Sequence, residues 1–144
     1  MECMANSDNV IRAGLTPKLR DVPNLVSGLT YVASLPAKHT VDTRPFDLFT
    51  GGVSILYDPP IPEFSVVQAR LYREKEERHR PVDGPSVAIV TEGAGLVKWR
   101  MGSVVETLEV RMGDVFFIGA GTELDLLATA EEWIVYRAFV EVGR

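Results

Sequence analysis

From residue 63 onward the chain alternates apolar and polar side chains with the two-residue period of strands buried on one face. Val97, Trp99 and Met101 fall on one side and Lys98 and Arg100 on the other. Leu108 and Val110 likewise oppose Glu109 and Arg111, and Ile134, Tyr136, Ala138, Val140 and Val142 oppose Arg137 and Glu141. This pattern predicts strands over 64–72, 86–92, 96–101, 106–111, 115–118, 124–128 and 133–142. Between them lie Gly93-Ala94-Gly95, Gly102-Ser103, Gly113-Asp114 and Gly119-Ala120-Gly121. Those around Ala94 and Ala120 lack the strand, spacing and helix of a nucleotide loop, so they read as hairpin turns. Short strands at this spacing make a sandwich or barrel.

The first half is patterned differently. Asp21 is a good helix N-cap, Pro23 suits a first turn, and Val22, Leu25, Val26, Leu29 and Val32 recur at helical spacing, which predicts a helix over 22–33 with a core-facing stripe. Gly28 in its interior costs about 1 kcal/mol relative to alanine. Residues 35–47 read as a surface connection, and Tyr57 to Pro62, with three prolines, as a rigid extended segment. Residues 73–80 mix both charges and read as a solvated loop, or else a lid or partner contact. At the start, a short strand over 2–5, a bend at Asn6-Ser7-Asp8-Asn9 and an extended piece over 10–13 precede a loop at Gly14 and Thr16-Pro17. The division expected is thus 1–35, a connection over 36–62, and a β domain over 63–144.

At 144 residues the chain can bury one hydrophobic core, and 46% apolar with 24% charged residues is a globular composition. No apolar run is long enough to cross a membrane as a helix, and Glu2, Asp8, Arg12 and Lys18 stand where a signal peptide would be apolar. A cytoplasmic location with no membrane partner is expected. The net charge of -5 argues against nucleic acid as the principal partner. Cys3 is the sole cysteine, which rules out a disulfide framework, and His39 and His79 sit in different settings that do not suggest a shared metal site. Trp99 and Trp133 read as core or rim residues rather than stacking platforms.

The chemistry is concentrated at the start. Glu2, Asp8, Asn9, Arg12 and Lys18 fall within seventeen residues. They offer half a site for a small anionic substrate, or a turn in which Asp8 and Asn9 cap, Arg12 pairs with Glu2 and Lys18 is solvated. Along one straight strand Glu2 and Arg12 would lie roughly 33 Å apart, so a shared site requires the bend at 6–9.

Glu2 to Lys18, Glu-Cys-Met-Ala-Asn-Ser-Asp-Asn-Val-Ile-Arg-Ala-Gly-Leu-Thr-Pro-Lys, resembles the signature of type I phosphomannose isomerases. Leu19 to Tyr31 fits that family's helix, Ile55 to Val66 fits its Tyr-x-Pro-Pro-x-x-Glu-Phe segment, and the remainder resembles its C-terminal cupin-like domain. Gly113-Asp114 followed by four apolar residues is similar to the second cupin motif, but Thr122-Glu123-Leu124-Asp125 follows where a metal-binding cupin adds a histidine.

The fold implied is mainly β, a cupin-like jelly roll or double-stranded barrel preceded by a short strand–loop–helix segment. The activity implied is interconversion of mannose 6-phosphate and fructose 6-phosphate through an enediol, feeding GDP-mannose synthesis. By position, Arg12 matches an active-site arginine, Lys18 a second active-site cation and Glu2 a glutamate near the substrate carbons. The family's zinc is held by a glutamine, two histidines and a glutamate; the ligands fall before Glu2, and neither His39 nor His79 stands at a ligand position. No zinc is therefore expected on this chain alone, which is expected to be inactive, with the sugar phosphate and the missing N-terminal part as partners. The alternatives are a free-standing, metal-free cupin domain serving as a binding module, or a remnant that binds sugar phosphate without chemistry.

Overall fold

The computed structural model describes residues 10–12, 15–46 and 53–140, and the chain divides after Thr40 into two compact units. In the first unit, helix α1 (Val22–Gly28) starts as expected: the Asp21 carboxylate accepts from the Asn24 backbone N–H at 3.2 Å, and Pro23 lies in the first turn. It ends five residues before the predicted Ala33, because Gly28 weakens it and Leu29 turns extended, its N–H closing on the Val26 carbonyl at 3.3 Å. Nor is the stripe core-facing: Val22, Val26, Leu29 and Val32 are 48–64% exposed and only Leu25 is half-buried. A single 3₁₀ turn follows at Pro36–His39, and the Ser34 hydroxyl and His39 Nε2 are hydrogen-bonded at 2.7 Å. No helix among the described residues is long and apolar enough to cross a membrane.

The described residues of the second unit form ten strands: β1 (Thr43–Pro45), β2 (Ile55–Tyr57), β3 (Ser65–Tyr72), β4 (Glu76–His79), β5 (Ser86–Glu92), β6 (Ala94–Met101), β7 (Val104–Arg111), β8 (Val115–Ile118), β9 (Leu124–Ala128) and β10 (Glu132–Phe139). They form two antiparallel sheets, ordered β1-β2-β3-β10-β5-β8 and β4-β9-β6-β7. The fold is mainly β, as the alternation predicts. Inward side chains interdigitate between the sheets, with Leu71, Val90, Trp133 and Val135 from the larger meeting Val97, Val110, Leu124 and Leu126 from the smaller. A second cluster joins Phe46, Leu56, Val67, Val82 and Phe139. Trp133 is fully buried and Trp99 half-buried, so both are core or rim residues as expected.

Four sequence expectations change. Gly102-Ser103 is a true hairpin turn, joining paired β6 and β7, but the glycine turns around Ala94 and Ala120 connect strands of different sheets and are therefore corners. Gly93 suits one: its φ of +72° is left-handed, and a Cβ there would lie 1.9 Å from the Glu132 carbonyl oxygen. Residues 73–80 are no loop, since β4 occupies 76–79 with Glu77 and His79 buried and Glu76 and Arg78 exposed. After Tyr57 the chain bends compactly, with the Ile61 N–H on the Pro59 carbonyl at 2.8 Å, instead of continuing extended.

The fourth change reverses the phase of β10. Its deepest row is Trp133, Val135, Arg137 and Phe139, whereas Tyr136 and Ala138 are half-buried. Apolar residues occupy both parities of this strand, so alternation alone was ambiguous. A bulge between Ile134 and Val135 shifts the register against β5. On β7, only Val110 is buried, and Leu108 is 40% exposed, because this strand is the outer edge of its sheet.

Candidate functional site

Of the three residues picked from the sequence, Arg12 is half-buried and Lys18 exposed, while Glu2 lies outside the described residues. Cys3, Asp8 and Asn9 lie outside them too. The backbone N–H of Lys18 donates to the Thr16 hydroxyl at 3.2 Å, which fixes the turn before α1. Neither the Arg12 nor the Lys18 side chain makes an ion pair or hydrogen bond among the described residues. Two cations on one short segment suit an anionic ligand.

A second polar constellation, which the sequence reading missed, is buried in the β unit. Alternation in β4 turns Glu77 and His79 inward, and β10 brings Arg137 inward from the larger sheet. Ser54, just before β2, links the first two: its N–H donates to Glu77 Oε1 at 3.1 Å, and its hydroxyl and His79 Nε2 are hydrogen-bonded at 2.9 Å. Arg137 Nε donates to the Ser86 hydroxyl at 2.9 Å. The Phe46 ring stands edge-on to His79 at 5.1 Å and to Phe139 at 5.8 Å, with the Arg80 guanidinium 5.0 Å from its centroid.

This setting is hostile to added charge. Burial, and then the positive charge of Arg137, push the pKa of His79 down to about 3, so its ring is neutral at physiological pH. Burial, and then Arg80, lower that of Arg137 to about 10, which leaves it charged. The only legible signal for this cluster was the alternation of Glu77 and His79 against Glu76 and Arg78 within an apparent charge run. Among the described residues no three His, Cys, Asp or Glu side chains converge. The described residues therefore do not fit the zinc ion that the resemblance implies.

Comparison with known proteins bears on the whole chain. The family model described as "Phosphomannose isomerase type I C-terminal" matches residues 54–99. Mannose-6-phosphate isomerase from Cryptococcus neoformans var. neoformans is 48% identical over 141 residues, covering 98% of this chain and 31% of that protein. The Saccharomyces cerevisiae mannose-6-phosphate isomerase is 46% identical over 143 residues, covering 98% and 32% respectively. A mutant phosphomannose isomerase from Salmonella typhimurium superposes with a TM-score of 0.71 at 24% identity, over 96% of this chain and 33% of that one, a likeness that shows the fold. The chain thus spans about a third of the length of the curated relatives it matches. Along nearly its whole length the sequence is similar to about a third of the mannose-6-phosphate isomerases, the family model it matches describes the C-terminal part of the type I phosphomannose isomerases, and its mainly β fold is that of the corresponding part of the Salmonella protein.

Proposed function

We propose that this chain supplies the C-terminal part of a zinc-dependent mannose-6-phosphate isomerase, a cytoplasmic enzyme that interconverts mannose 6-phosphate and fructose 6-phosphate and feeds GDP-mannose synthesis. The observation that carries the reading is the 48% identity to a mannose-6-phosphate isomerase along 98% of the chain. In this reading the reaction moves a proton between C2 and C1 of the sugar through an enediol. Arg12 holds the substrate in register and stabilises the oxyanion that develops on the enediolate. Lys18 provides the second positive charge, at the phosphate or in proton transfer, and Glu2 is the carboxylate beside the reacting carbons. The zinc ligands belong to the part of the family's sequence that this chain does not match, so the chain acts together with that part and is inactive alone.

Two measurements test this. Purified alone, the chain should hold no stoichiometric zinc and should not turn over mannose 6-phosphate; zinc-dependent turnover by the isolated chain refutes the assignment of inactivity. Joined to the N-terminal two-thirds of a fungal relative, it should restore isomerisation. A folded but inactive hybrid favours the rival reading, a free-standing cupin domain that binds without chemistry, which draws support from the self-contained core of the β unit.

A further inference from the structure

Among the described residues, Arg137 carries the positive charge buried deepest in the β unit. It is 2% exposed and stands on β10 between Val67 of β3 and Ala88 of β5. Its guanidinium has three nitrogens, and only one is used. Nε donates to the Ser86 hydroxyl at 2.9 Å, whereas Nη1 and Nη2, both shielded from solvent, meet no acceptor. Buried donors left in this way are rare in folded proteins, and a water or an ion is a common reason for them.

Charge decides between the two. Arg137 forms no ion pair among the described residues: the Glu77 carboxylate is turned to the Ser54 N–H, and the neutral His79 ring brings no negative charge. Burial first, and then Arg80 with a charge of the same sign, disfavour the charged guanidinium. An ion taken out of water without a counter-charge is among the costliest arrangements in a protein interior. A water would satisfy the two donors and leave the charge. An anion answers both, and hydrogen bonds between charged partners are roughly twice as strong as neutral ones. Since solvent does not reach Nη1 or Nη2, that anion has to be small enough to be enclosed with them, which a sugar phosphate is not.

We propose that the β unit encloses one small monovalent anion, a halide or a short carboxylate such as formate, held by Nη1 and Nη2 of Arg137. The site uses none of Glu2, Arg12 and Lys18 and stands independently of the isomerase reading.

The test is urea unfolding of the full chain, followed by tryptophan fluorescence at constant ionic strength, with sodium gluconate replaced stepwise by sodium chloride or sodium formate. Gluconate is monovalent but too large to be enclosed. A ligand bound by the native state alone raises the folding constant in proportion to its concentration once that exceeds Kd. One bound anion should therefore raise the folding constant about tenfold for each tenfold rise in chloride or formate, and the ion that acts at the lower concentration is the better-fitting ligand. Ser86→Ala, which keeps both Nη groups, should retain this dependence. Arg137→Met, which removes them together with the charge, should lose it. Crystals of the chain soaked in bromide should show an anomalous peak beside the Arg137 Nη atoms, a readout that does not depend on stability. The proposal is overturned if neither anion changes the folding constant relative to gluconate, if Arg137→Met responds as the parent does, or if the crystals show only water at the two nitrogens.

Discussion

Replacing His79 with glutamine should flatten the acid limb of the stability curve. The imidazole is 2% exposed, bonded to the Ser54 hydroxyl and pressed against Phe46, and burial together with the charge of Arg137 lowers its pKa from 6.5 to about 3. In the unfolded chain the same ring titrates near 6.5. Between these values the unfolded state binds a proton that the native state refuses, so stability rises with pH. The contribution is complete above pH 6.5 and is lost as pH falls towards 3, at about 1.4 kcal/mol per pH unit. From pH 6.5 to 4.5 the loss is roughly 2–3 kcal/mol, a large fraction of the 5–15 kcal/mol that stabilises an ordinary domain. Glutamine retains a polar group for Ser54 but does not titrate. Urea unfolding of both proteins, followed by tryptophan fluorescence at pH 7.5, 6.5, 5.5 and 4.5, isolates the effect, because the carboxylates titrate equally in each. His79→Gln should be the less stable protein at pH 7.5, with the gap closing by about 2–3 kcal/mol at pH 4.5. Parallel curves over that interval would refute the claim that the ring is buried neutral.

Arg137 and Ser86 form a testable pair. Ser86→Ala strips a buried guanidinium of its Nε partner and should cost about 2–3 kcal/mol, whereas Arg137→Met combined with Ser86→Ala should cost less, since the charge and its acceptor leave together. A double variant as unstable as Ser86→Ala alone, or more so, in denaturant unfolding would contradict this. Gly95→Ala should destabilise by about 3 kcal/mol, because its Cβ would fall 2.4 Å from Cε3 of the buried Trp133 ring; a thermal melt unchanged from the parent would count against that packing. In a hybrid full-length enzyme, Arg12→Ala should lower kcat and kcat/KM together by on the order of 100-fold, and a change confined to KM would reassign Arg12 to ground-state binding.

The sequence displayed the strands whose sides differ in polarity, and 86–92, 115–118 and 124–128 match β5, β8 and β9 residue for residue. β1 and β2 have three residues each, too few for a period to emerge, and β4 hides its alternation in side chains that are nearly all charged. In β10 the run Trp133-Ile134-Val135 is apolar on both faces, and Arg137 then misleads because its burial depends on Ser86, 51 residues away. Hairpins and corners look alike locally, since both need a glycine with positive φ, and only the pairing of distant strands separates them. As for the site, Arg12 and Lys18 stand out in the charged opening stretch and take their roles from the resemblance; the Ser54–Glu77–His79 and Ser86–Arg137 contacts join segments whose proximity exists only after folding.

The position of β10 between β3 and β5 also governs how the sheet can assemble. Phe139 faces Ser65 on one side and Ser86 on the other, so the two earlier strands share no ladder and both wait for residues 132–139. During synthesis β3 and β5 must leave the ribosome with one edge each unsatisfied, and the loop-closure entropy of joining them falls due in a single late step. Such a topology makes for slow, high-contact-order folding, with the interval before β10 emerges as the time when the nascent chain is most exposed to wrong pairing.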